Sequence, residues 1–160
     1  MDLEIAINRK LTTGSVPFKD VFIGFEKVAA VKSIFGKRTN RVLSDLHIDF
    51  EQGMGYMRID DKKGSVIVSA EYLKDGDEIY LYLDIVHELV HIRQRMEGQE
   101  LWDRRYPYVD RPTEIEAYRV AVQEARRIGL GEKEIASYLK VEWVNDADFE
   151  RFLEKLGIGQ

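Results

Sequence analysis

The sequence predicts one small α+β domain, in which a mostly antiparallel sheet of three to four strands is followed by helices that complete the chain. Three observations carry this expectation. Between residues 42 and 70 the apolar positions fall in short runs separated by glycine-containing turns, as they do in strands. Beyond residue 77 the apolar spacing lengthens to three and four, with Asp, Pro and Gly where helices start and stop. The 160 residues are 44% hydrophobic and 33% charged, which supplies one core and not two. No repeat, low-complexity tract or linker divides the chain, so residues 1–160 read as a single domain.

Taken in order, Ser15 precedes Val16-Pro17 as an N-cap with proline just inside a helix. Val21, Phe22, Phe25, Val28, Ala29 and Lys32 then keep the spacing of one helix face as far as Gly36. A first helix packed on a sheet is expected there. Residues 42–50, 54–59 and 65–70 read as strands joined at Gln52-Gly53 and Asp61-Lys62-Lys63-Gly64, and turns this short imply a three-stranded antiparallel meander. Asp77 is placed to cap a helix through Ile79, Tyr82, Leu83, Val86, Leu89 and Val90 to Met96, closing at Gly98. An aromatic and arginine-rich connection over 99–111 leads to a helix from Pro112-Thr113 to Ile128, ended by Gly129, and shorter helices follow over 132–139 and 146–156. Trp143 reads as a core anchor for these last helices.

Composition excludes several functions. The absence of cysteine rules out a disulfide scaffold, Cys-ligated zinc, a thiol nucleophile and a CxxC redox site, and it fits a reducing compartment. Twenty-four Lys and Arg against 29 Asp and Glu leave a net charge of −5, which argues against general binding to nucleic acid or anionic membranes. Arginines crowd residues 93–127, but acidic residues in the same stretch nearly balance them, as on a solvated, salt-bridged surface. Met1-Asp2-Leu3-Glu4 lacks the pattern of a signal peptide, and the most apolar run, Ile79 to Val90, is too short and too charged to span a membrane. A cytoplasmic protein is expected.

His87-Glu88-Leu89-Val90-His91 is an HExxH sequence lying in the expected second helix. Residues four apart on a helix stand one turn above each other, so both imidazoles can reach one zinc ion. Glu88 is turned aside by roughly 100°, where its carboxylate meets a zinc-bound water instead of the metal. Chance produces such a pentapeptide in on the order of one in a few hundred chains of this length, so context decides. Here the motif is helical, follows the strands directly and uses two of only three histidines. The bland alternative is a pair of satisfied histidines on a buried helix.

A catalytic zinc wants a third protein ligand and an open position. With no cysteine, and with His47 in an expected strand, carboxylates remain, and the next helix offers Glu114 or Glu116. Two residues apart on a helix is roughly 200°, so only one of them faces the site. Glu114 shares its face with Ala117, Tyr118, Ala121, Ala125 and Ile128, small and apolar enough to lie against the zinc helix, whereas Glu116 sits among Arg119, Val120, Gln123 and Arg127. Glu114 is the expected third ligand and Glu116 the alternative.

His87-Glu88-Leu89-Val90-His91 with Glu114, and Ala117 three positions after it, resembles the gluzincin zinc metallopeptidases, most closely the small single-domain archaeal minigluzincins. The resemblance covers roughly residues 65–128. It implies a zincin-like arrangement of a strand, an active-site helix and a glutamate helix around zinc, with His87, His91 and Glu114 as ligands and Glu88 as general base and acid. Tyr118 stands where larger members place an Asp that orients a ligand histidine, so that role is unfilled or moved. The metzincin pattern is excluded, because Gln94 and Glu97 occupy the positions of its glycine and third histidine. The resemblance also implies an edge strand before the zinc helix onto which substrate adds, and Val66 to Ala70, with Val68 at its centre, is placed to be that strand or ordinary sheet core. Transition-state charge needs a further donor, for which Tyr106, Tyr108, Tyr118 and nearby arginines qualify. Trp102, Tyr106 and Tyr108 either wall the cleft or pack a loop onto the helix.

The expected function is a zinc-dependent endopeptidase acting on a peptide or protein, possessing or lacking a latent state blocked by residues 1–14 or 145–160. The alternative is a catalytically inactive zinc-binding protein with a regulatory or peptide-binding role.

Overall fold

The computed structural model describes residues 3–159; Met1 and Asp2, which open the expected N-terminal stretch, and Gln160, which ends the expected domain, lie outside the described residues. In chain order the elements are β1 (Ala6–Ile7), β2 (Ser15–Pro17), α1 (Phe18–Val21), β3 (Phe22–Ile23), α2 (Ala29–Phe35), α3 (Thr39–Asp45), β4 (His47–Glu51), β5 (Met57–Asp60), β6 (Ser65–Ser69), α4 (Ala70–Asp75), α5 (Glu78–Met96), α6 (Pro112–Arg127), α7 (Glu132–Leu139) and α8 (Asp146–Lys155). The architecture is α+β. Among the described residues no helix is long and apolar enough to cross a membrane.

Helix α5 organises the rest. Asp77 caps it, its carboxylate accepting from the Tyr80 amide at 3.1 Å, and Arg93 and Arg95 in the last turn complement the helix dipole. Leu81, Leu83, Ile85, Val86, Leu89 and Val90 are fully buried, so apolar residues lie on nearly every side of the helix, as expected of one enclosed in a core. It packs on α6, α2 and β5. Each of these buried side chains contributes roughly 1.5–3 kcal/mol relative to exposure.

The sheet departs from the expected meander. Its order is β2-β4-β6-β5, with β2–β4 and β5–β6 antiparallel and β4–β6 parallel. The hairpin from β5 to β6 forms as expected, closed by the Gly64 amide on the Asp60 carbonyl at 2.7 Å. Gln52-Gly53, however, does not return the chain beside β4. Residues 42–45 belong to α3, and β6, with apolar residues on both faces and nearly all of it buried, takes the interior place that such strands demand. Val68 is therefore fully buried in an interior strand, and the edge-strand role expected for it is corrected: the edges are β2 and β5.

The helix expected over 16–36 is likewise broken into β2, α1, β3, a 3₁₀ turn at Phe25–Lys27 and α2. Gly24 lies at φ 89°, and a Cβ there would stand 3.2 Å from the Glu4 carbonyl oxygen, so a helix cannot pass through it. The apolar spacing still reports burial. Phe18, Phe22 and Phe25 pack on one another, and Phe25 on Tyr82 of α5 at 5.6 Å between centroids. α4, which was not expected, is capped by Ser69, whose hydroxyl accepts from the Tyr72 amide.

Candidate metal centre

The stripe Asp84, His87, Glu88 and His91 on α5 repeats at the spacing of one helix face, and these four residues line a single cavity of about 320 Å³. α6 runs beside it. Pro112 opens α6 at its first turn, which fixes the helix start and puts Glu114 opposite the histidines, while Ala117, Ala121 and Ala125, all fully buried, let the two helices approach.

Three atoms converge. His91 Nε2 lies 2.6 Å from Glu114 Oε1, His87 Nε2 lies 3.2 Å from the same oxygen, and the two Nε2 atoms are 3.1 Å apart. All three residues are buried and together form a group able to hold a metal ion. Two imidazole nitrogens and one carboxylate oxygen match the donor set of a three-ligand metal site. Glu88 is excluded from the convergence: its Oε1 is 3.9 Å from His87 Nε2, and its Oε2 has no protein partner.

The electrostatics follow from burial and from Glu114. Burial holds the His87 imidazole below its usual range. Burial opposes charge on His91 too, but the hydrogen bond to Glu114 and the nearby carboxylates push it up to about 9. Glu114 is lowered by those same histidines despite its burial. Burial raises Glu88 to about 8, and a cation at the convergence point would favour its ionised form.

Glu116, the alternative ligand, faces away and is otherwise engaged, accepting from Arg93 at 2.5 Å and from Gln94 Nε2 at 2.8 Å. Gln94 also accepts from His91 Nδ1 at 2.7 Å. It thus orients a histidine of the group, a role that the sequence left unassigned although Gln94 stands on the same helix face three residues on. Tyr118 packs its ring on His87 at 4.0 Å between centroids, and its hydroxyl meets that of Tyr108 at 2.5 Å. His87 Nδ1 itself has no protein partner.

Tyr108, Tyr118 and Trp102 line the cavity; Tyr106 is not among its lining residues. Trp143, expected in the core, is 61% exposed and stands at the cavity wall instead, because Lys140 to Asn145 form a loop between α7 and α8. His47 is exposed at the start of β4 and is not a member of the group. Among the described residues, none from 3–14 or 145–159 lines the cavity. The arginines are largely paired, Arg93 with Glu97 and Glu116, Arg105 with Asp103, Arg126 with Glu132 and Arg127 with Glu124.

Comparison of the chain with protein-family models, with curated proteins and with solved structures finds no match.

Proposed function

We propose that the protein is a zinc-dependent peptidase of gluzincin type. The observation that carries this reading is the convergence of His87 Nε2, His91 Nε2 and Glu114 Oε1 on one point in the wall of a cavity, with the Glu88 carboxylate beside it and outside the ligand set. When bound, zinc supplies a Lewis acid that polarises the scissile carbonyl and lowers the pKa of water. Glu88 takes the proton of the attacking water and passes it to the departing amine. Tyr108, which lines the same cavity and whose hydroxyl burial raises further above the ordinary tyrosine range, donates to the developing oxyanion.

Edge strand β5 supports the binding side of this reading, since Met57 and Arg58 line the same cavity and a peptide can extend the sheet there through main-chain hydrogen bonds. The absence of cysteine fits action in the cytoplasm. A peptide library incubated with zinc-loaded wild type and Glu88→Gln tests the reading. Wild type is expected to cleave in a chelator-sensitive way and the variant to be slower by roughly 10²–10⁴-fold. An equally active variant overturns the role of Glu88, and zinc retention without cleavage by either intact or terminally trimmed protein favours the non-catalytic metal-binding alternative.

A further inference from the structure

One carboxylate in the cavity is used neither by the metal group nor by the proton transfer. Asp84 stands one helical turn before His87, on the stripe that carries the metal group, and lines the same cavity. Tyr72 of α4 donates its hydroxyl to Oδ2, and Tyr138 of α7 donates to Oδ1 at 2.6 Å. Among the described residues no lysine or arginine pairs with it; the groups acting on it are these two tyrosines. Each carboxylate oxygen has a second acceptor position that a single tyrosine leaves open.

The surroundings fit a cation. Tyr80 meets Tyr138 edge-on at 5.1 Å between centroids, Tyr56 meets Tyr72 likewise at 5.1 Å, and all four rings line the cavity. Aromatic faces around a carboxylate attract an ammonium or guanidinium by both charge and quadrupole. The cavity's own cations are directed elsewhere, Arg58 to Glu51 through two hydrogen bonds and Lys140 over the Phe149 ring at 5.8 Å.

We infer that Asp84, held by Tyr72 and Tyr138, is the floor of a side-chain subsite beside the metal group that takes the cationic side chain, lysine or arginine, of a bound peptide. The inference rests on the peptidase reading. It adds a selectivity that a zinc ion and a general base do not confer. Burial raises Asp84 to about 6, so the carboxylate is ionised at neutral pH, and a bound cation would hold it so.

The test uses zinc-loaded full chain and three peptides that differ at one position, carrying arginine, norleucine or glutamate. Wild type is expected to favour arginine over norleucine in kcat/KM by roughly tenfold or more, with glutamate poorest, and Asp84→Asn to bring the arginine-to-norleucine ratio near one. Ser137 is exposed on α7 at the cavity wall, so its replacement does not endanger the core. Ser137→Glu is expected to raise that ratio and Ser137→Lys to lower it. Equal cleavage of all three peptides by wild type overturns the subsite and leaves the peptidase reading standing, as does an unchanged ratio in Asp84→Asn, which would make Asp84 a purely structural tie. If no peptide is cleaved the peptidase reading fails, and the subsite is judged by binding of N-acetylarginine amide, read in the ring NMR signals of Tyr80 and Tyr138. Shifts lost in Asp84→Asn support it. No shift, or the same shift with N-acetylnorleucine amide, overturns it.

Discussion

His91 donates its Nδ1 hydrogen to Gln94 Oε1 at 2.7 Å, and fully buried Gln94 is itself fixed by donating to the Thr113 carbonyl at 3.0 Å and to Glu116. With Nδ1 committed to Gln94, Nε2 donates to Glu114 in this structure and is the nitrogen that would ligate a metal on losing that proton. Gln94→Leu is therefore expected to weaken zinc binding by roughly 10–100-fold. Competition with a fluorescent chelator measures this, and Glu116→Gln, one step further out, should lose less.

Tyr118 holds His87 by ring contact, whereas its hydroxyl serves Tyr108. The two functions separate by substitution. Tyr118→Phe keeps the ring and should leave zinc content unchanged, while Tyr118→Ala frees His87 and should lower zinc affinity. Tyr108→Phe is expected to retain zinc and lose roughly 10²–10³-fold in kcat, read by steady-state kinetics on a cleaved peptide.

Asp84 is raised by burial from 3.8 to about 6, so the folded state binds its proton more tightly than the unfolded chain does. The sign is that of a group whose ionisation opposes folding: its contribution to stability falls as pH rises from about 4 to about 6 and is constant beyond. Subtracting the unfolding free energy of metal-free Asp84→Asn from that of metal-free wild type should give a curve that declines across this window. A flat difference would place Asp84 in a solvated setting.

Asp110 shows the opposite sign. Arg151 and Lys155 of α8 hydrogen-bond its carboxylate and lower it to about 2, which ties the 3₁₀ turn at Tyr108–Asp110 to the C-terminal helix. The stabilisation is present above pH 4 and lost as pH falls through about 2. Because the pair is partly exposed, Asp110→Ala should cost about 1 kcal/mol at neutral pH, and urea titrations at neutral and acid pH should show the difference shrinking.

Much of the helical half of the fold was legible because its signals are local. Asp77, Gly98, Pro112 and Gly129 mark helix ends that agree with α5 and α6 to within a residue or two, and α7 falls on Glu132–Leu139 as read. Strand order was not legible, since the parallel pairing of Ile48 with Val66 joins segments whose partnership no local turn encodes. The misread helix over 16–36 has one overlooked marker: a glycine at 24 inside an otherwise periodic run. For the site, the one-turn spacing of His87 and His91 and the small face of α6 around Glu114 point to the same three residues that the structure brings together. In the sequence Gln94 shows only that the metzincin glycine is missing. In the sequence Asp84 is only a charge in an apolar run, because its partners Tyr72 and Tyr138 lie 12 and 54 residues away.

Zinc stoichiometry by native mass spectrometry tests the central claim most directly. Wild type is expected to carry one zinc ion per folded chain, with His87→Ala, His91→Ala and Glu114→Ala each losing it under the same conditions and Glu88→Gln retaining it. A zinc-free wild type reconstituted with excess metal, or a Glu114→Ala variant that binds zinc as tightly as wild type, would contradict it.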